Sequence, residues 1–299
     1  MSQDDMIGKW PVTFNRIITA IALSPRAEAN LQESYRIAKK FQSLLILVHV
    51  GNRDPQTESG LKALIQKVGI PEDSFELHFM SGDPTMAILQ AADEHQADLL
   101  IAGALQKEKW LHYFKGSIAR KLCRKANCSL LLLTNPSVTP RPMQRIVVNG
   151  SDHPKTEDTI RTAIYVAHSF GSQKVTIVEE IDPSSVKFRP EDDRSLLLYN
   201  RECDRIRREE HRRLEGVLDS IPNTKDLLVE DKCLFGKKGY TIGHFTQSSR
   251  ADLLVMNSPD TKLGFLDRVF THDLEYILSD LPCDLLIVHT TKTKKEEEV

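Results

Sequence analysis

The sequence predicts an α/β protein made of two similar halves, each a five-stranded parallel sheet covered by helices on both faces. Two observations carry this. First, the chain repeats itself: RIITAI at 16–21 returns as RIVVNG at 145–150, ADLLIAGA at 97–104 as ADLLVMNS at 251–258, and ANCSLLLL at 126–133 as LPCDLLIV at 281–288. Repetition over such a span means two copies of one unit. Second, short apolar runs alternate with amphipathic segments of helix length, the pattern of strands buried on both faces and joined by right-handed helical crossovers.

In the first copy the strands fall near 15–21, 44–50, 75–80, 98–102 and 129–133. Between the first two, AEANLQESYRIAKKF places Leu31, Tyr35 and Ala38 at helical spacing. Before the fourth, SGDPTMAILQAADEH opens with Asp83 as an N-cap and Pro84 in the first turn, where its missing N–H costs nothing. The second copy follows the same order, with strands near 145–149, 174–180, 226–230, 252–256 and 284–288.

The offset between copies is 129 residues at the first match and 154 or 155 at the later ones, so the second copy carries extra sequence, mainly within 182–225. There Leu196, Tyr199, Cys203, Ile206, Leu214, Val217 and Ile221 recur at helical intervals and predict a longer amphipathic helix. Residues 201–215 hold six arginines against five acids, which reads as a solvated face laced with ion pairs rather than a nucleic-acid patch. TNPSVTPRPMQ at 134–144, with three prolines, is the linker. The expected domains are 14–134 and 143–290, followed by a charged tail at 291–299.

Bulk properties narrow the function classes. A net charge of −2 provides no field to attract nucleic acid or anionic lipid. No apolar run approaches the ~18 residues needed to span a bilayer, and the acidic start MSQDDMIGKW does not resemble a secretory signal, so a cytoplasmic protein is expected. Five cysteines without a C-x-x-C pair indicate neither a zinc cage nor a disulfide framework. His49 and His289 end apolar strands without a second ligand at metal-like spacing, so no metal site is expected.

In open parallel sheets a ligand sits beyond the carboxyl ends of the strands where their order reverses. If strands 1 and 4 flank that point, the relevant loops are Leu23–Ala27 and the stretch GALQKEKWLHYFKGS at 103–117. Gly103 and Gly116 would let backbone approach an anion, and Ser117 opens the next helix with a hydroxyl. The same residues also suit plain fold retention, as a tight strand exit and an N-cap. Lys107, Lys109 and Lys115 fit a solvated loop, and Trp110, Tyr113 and Phe114 fit packing.

The duplicated five-strand unit, the GDP helix start at Gly82, Asp83 and Pro84, the ADLL strand, the glycine-to-GS spacing and the closing A-x-C-x-LLLL strand together resemble the universal stress protein (UspA-like) family, in a tandem member. The resemblance implies two Rossmann-like domains of the adenine nucleotide alpha hydrolase type, strand order 3-2-1-4-5. It also implies an adenine nucleotide, ATP or AMP with Mg²⁺, held after strand 4 by G-x2-G-x9-G-(S/T) and anchored by an aspartate at the end of strand 1. Gly103, Gly116 and Ser117 match that motif, but Gln106 replaces the second glycine and Ala22 replaces the aspartate. Backbone near Val50 would meet the adenine. In the second copy Asn257, Asp260 and Phe270 replace the glycines and only Thr271 matches, while Ser151 takes the aspartate position with Asp152 beside it.

The expectation is therefore a non-catalytic stress-response regulatory or interaction protein with degenerate nucleotide sites; the alternative is an ATP or AMP sensor, with or without slow ATP hydrolysis. Family members commonly pair the strands after Cys128 and Cys283, which implies docking of the two halves through their last strands, with a homodimer and an unidentified protein partner left open. A nucleotidyl transferase or ATP pyrophosphatase would need H-x-G-H or S-G-G-x-D-S on the first loop, and LSPRAE and GSDHPK provide neither. Ser151, Asp152 and His153 are chain neighbours on a turn, which rarely converge as a catalytic set.

Overall fold

A computed structural model of the chain describes residues 13–103, 118–221, 227–259 and 272–289. Gly116, Ser117, Asp260, Phe270, Thr271 and the tail at 291–299 lie outside the described residues.

In the first half the strands are β1 (Arg16–Ala20), β2 (Leu44–Val50), β3 (Phe75–Met80), β4 (Leu99–Gly103) and β5 (Ser129–Leu133). The helices among them are α1 (Ala27–Phe41), α2 (Pro55–Val68), α3 (Pro84–Glu94) and α4 (Ile118–Lys125). The second half repeats the order with β6 (Arg145–Asn149), α5 (Thr156–Phe170), β7 (Lys174–Ile181), α6 (Asp193–Asp219), β8 (Leu228–Phe235), α7 (Tyr240–Ser248), β9 (Leu253–Asn257), α8 (His272–Ser279) and β10 (Asp284–Val288). All ten strands form one sheet in the order β3-β2-β1-β4-β5-β10-β9-β6-β7-β8, so each half runs 3-2-1-4-5 as the family resemblance implies. Every neighbouring pair is parallel except β5 and β10, which are antiparallel.

Local chemistry sets the element ends. The Asp54 carboxylate accepts from the amides of Gln56 and Thr57, and Asp83 accepts from Met86, each just ahead of a proline in the first turn. α2 and α5 stop at Gly69 and Gly171, whose φ angles of 77° and 67° are left-handed and need glycine's freedom. α6 opens with a reciprocal capping box between Asp192 and Ser195.

Burial follows strand position. β5 is buried throughout, whereas β3 and β8 at the sheet edges are only partly covered. The sequence reading placed the third strand of the second copy at 226–230, but β8 runs Leu228–Phe235. Its register with β7 extends from Leu228 to Phe235, and the half-exposed edge admits Glu230, Asp231 and Lys232, which broke the apolar run used to find it. α6 buries Cys203 and Leu214 and leaves Leu196 and Leu197 exposed. The expected ion pairs run along it, among them the half-exposed Arg205 with the buried Glu202 and the exposed Glu209, and Arg207 with Asp204.

Contacts between the halves include the β5–β10 seam, an aromatic cluster and an ion pair between Arg124 and Glu275 at 3.9 Å. At the β5–β10 seam, Asp284 accepts from the Thr134 amide (2.8 Å) and hydroxyl (2.9 Å) at one end, and the Ser129 hydroxyl accepts from the His289 amide at the other (3.1 Å). On one face of the sheet, Phe14 and Phe41 of the first half pack on Tyr165 of the second, at ring-centroid distances of 6.0 and 5.4 Å, and Phe41 also meets Phe170 at 5.5 Å. The linker is tied down by Arg36, which donates to the carbonyl of Ser137 at 2.7 Å. No helix among the described residues is long and apolar enough to cross a membrane.

Candidate functional site

Parallel pairing of β1 with β4, and of β6 with β9, puts a strand-order reversal in each half. Crossovers leave in opposite directions there and open a crevice at the carboxyl ends of the strands.

In the first half the crevice is lined by Thr19, Ile21, Ala22, Ser24, Ala27 and Asn30 and has a volume of about 100 Å³. Small-molecule sites usually enclose roughly 300–1,000 Å³. The Thr19 hydroxyl is already used: its Oγ1 donates to the carbonyl of Ile101 at 3.1 Å and accepts from Ser34 at 3.3 Å. The Asn30 amide oxygen is buried without a partner. Gly103 borders this group, and a Cβ there would stand 3.0 Å from Asn30 Oδ1, so a larger residue would press on the Asn30 amide. Ala22 is exposed and holds no acceptor. Val50 ends β2 in register with Met80, whose carbonyl accepts from the Gly51 amide at 2.8 Å. His49 is a satisfied strand-end histidine, with Nδ1 3.0 Å from the carbonyl oxygen of Ile21 and its ring edge-on to Phe79. The structure thus brings Gly103 against Asn30, which lines the crevice, and leaves Val50 at the next strand end.

In the second half the equivalent groups bind one another. Lys155 Nζ, at the start of α5, donates to the carbonyls of Ser258 and Pro259, both at 3.2 Å. Asn257 Nδ2 donates to Thr156 Oγ1 at 3.1 Å, and Thr156 donates to the Ser151 carbonyl at 2.5 Å. The turn Ser151–Asp152–His153 behaves as turn chemistry: the Ser151 amide donates to Asn149 and the Lys155 amide to His153 Nδ1.

The strand-2 ends show how far the halves have separated. By sheet register His49 corresponds to Glu179 and Val50 to Glu180. Glu180 is buried and accepts from the amides of Gly239 (2.9 Å) and Ile242 (2.7 Å), filling the amino end of α7 with a carboxylate. Glu179 is 4% exposed and pairs at 3.0 Å with Arg213, which also donates to the Gly150 carbonyl. Burial, and then the Glu210 carboxylate, push Glu179 up to about 8 despite Arg213. Lys155, Glu179 and Arg213 escaped the sequence reading because Lys155 and Arg213 lie 103 and 63 residues from carbonyls they bind.

This arrangement, two open parallel units mated edge to edge with a crevice at each reversal, defines a doubled α/β protein. Residues 53–134 match the family model described as the universal stress protein family. Over its whole length the chain is similar to a universal stress protein from Archaeoglobus fulgidus DSM 4304, with 14% identity, 94% of this chain and 98% of that one covered, and a TM-score of 0.61. It is also similar to a functionally unknown protein from Pseudomonas aeruginosa PAO1, with 18% identity, 95% of this chain and 96% of that one covered, and a TM-score of 0.62.

Proposed function

We propose that this protein is a cytoplasmic tandem universal stress protein that acts without catalysis, as a stress-response regulatory or interaction protein whose nucleotide sites are degenerate. The observation that carries the reading is the second crevice, where the donors a phosphate would need, the Lys155 ammonium and the Asn257 amide, already donate to protein oxygens. Ala22 and the narrow first crevice support it. On this reading the seam and the aromatic cluster make the halves an intrachain pseudo-dimer, and the protein acts through surfaces rather than chemistry.

A second reading, an ATP or AMP sensor confined to the first half, is favoured by the unpartnered Asn30 oxygen, an acceptor suited to an amino or hydroxyl donor. Calorimetry of the full chain with ATP and Mg²⁺ separates the two. Absence of heat supports the degenerate sites. Binding that disappears in both Gly116→Val and Ser117→Ala, or an adenine nucleotide released from purified protein, establishes the sensor instead.

A further inference from the structure

We propose that Glu76, His78 and His95 form a binding site for a divalent transition-metal ion of the zinc type at the β3 edge of the sheet. Glu76 and His78 alternate along β3 and so point to one face. His95 is the C-cap of α3, which packs on β2 and β3. One ligand atom from each of the three lies within 4.8 Å of the other two. Glu76 Oε2 and His78 Nε2 are 3.0 Å apart, and the two imidazole centroids are 4.1 Å apart. Tetrahedral donors about 2.0–2.2 Å from zinc stand roughly 3.3–3.6 Å from one another, so modest side-chain rotation converges the three and leaves a fourth position for water. Two imidazoles and one carboxylate favour zinc, nickel or copper over magnesium and calcium, which take oxygen donors.

The repeat provides an independent control. By register Glu76 corresponds to Glu230 and His78 to Lys232, while His95 corresponds to Ser249, the C-cap of α7. Both caps are followed by a residue of positive φ, Gln96 at 49° and Arg250 at 52°, so the backbone is the same. The fold therefore needs histidine at neither position, yet the first half brings two together beside a carboxylate.

The test uses the reduced, metal-free full chain, titrated with Zn²⁺ against a chromophoric chelator and separately with Co²⁺ in the visible range. A single equivalent binds wild type, and His78→Ala and His95→Ala each weaken affinity by at least about tenfold. The exposed His244→Ala variant keeps wild-type affinity, and circular dichroism verifies that all three fold. Retention of full affinity in both ligand variants, or no competition with the chelator by wild type, overturns the site. A thiolate charge-transfer band with Co²⁺ would assign binding to cysteine and overturn it equally, whatever the variants do.

Discussion

Asp98 and Asp252, 154 residues apart, perform the same task in their own halves. Asp98 Oδ2 accepts from the amides of Asn15 and Arg16, both at 2.9 Å, and Asp252 Oδ2 accepts from Gln144 (2.8 Å) and Arg145 (2.9 Å). Each also donates its own amide to the carbonyl of that arginine. The ADLL repeat is thus a clamp that aligns the fourth strand with the first. Asp252→Ala is expected to cost about 2–3 kcal/mol, because two amides lose a charged acceptor, and Asp252→Asn less. Urea unfolding monitored by circular dichroism measures both; equal, near-zero losses would show that the clamp is idle.

The seam gives a second expectation. Asp284→Ala leaves the Thr134 amide and hydroxyl without their acceptor and should destabilise by about 1–3 kcal/mol, with Thr134→Val costing less because the amide bond survives. Chemical denaturation of the two variants side by side tests the ranking, which a merely local role for the hydroxyl would reverse.

Glu179 makes stability depend on pH. Its folded value, about 8, lies above the unfolded value of about 4.3, so between them the folded chain holds the extra proton. This contribution is complete below the unfolded value and is lost as pH rises through the folded one. Glu179→Gln has no such proton to lose. The difference in unfolding free energy between variant and wild type should therefore move in favour of the variant by roughly 1–4 kcal/mol between acid and mildly alkaline pH. A pH-independent difference would show that Arg213 keeps the carboxylate ionised throughout.

Ala22→Asp returns an acceptor to the end of β1, where the family resemblance places the nucleoside anchor. If that one group limits recognition, adenosine nucleotides should bind at least about tenfold more tightly than to wild type, the worth of one hydrogen bond to a charged group. Calorimetry decides it. No gain would mean that the narrow crevice, rather than the missing carboxylate, excludes the ligand.

Most of the fold was legible because its signals are local. Apolar runs such as LLILVHV and SLLLL, and the Asp83–Pro84 start, speak for themselves within a few residues. β8 was cut short because an edge strand tolerates charge, so LVEDKCLF lacks the expected hydrophobic run. Gly103 was found through spacing, and packing against Asn30 supplies a reason for it that spacing could not. Lys155, Arg213 and the Glu76–His78–His95 group were not legible, since each depends on which crossover lies over which strand. His95 sits 17 residues beyond His78, and only the return of α3 across β3 joins them.

The antiparallel junction of β5 with β10 lies within a single covalent chain, so dilution has no hold on it. Separate subunits mated this way would come apart at low concentration; here the tether keeps the effective concentration high at any expression level. Freed from having to match themselves, the two sides of the joint have diverged, Val50 on one answering to Glu180 on the other. A mutation in one half therefore alters one edge of the assembly only, a latitude that symmetric dimers lack.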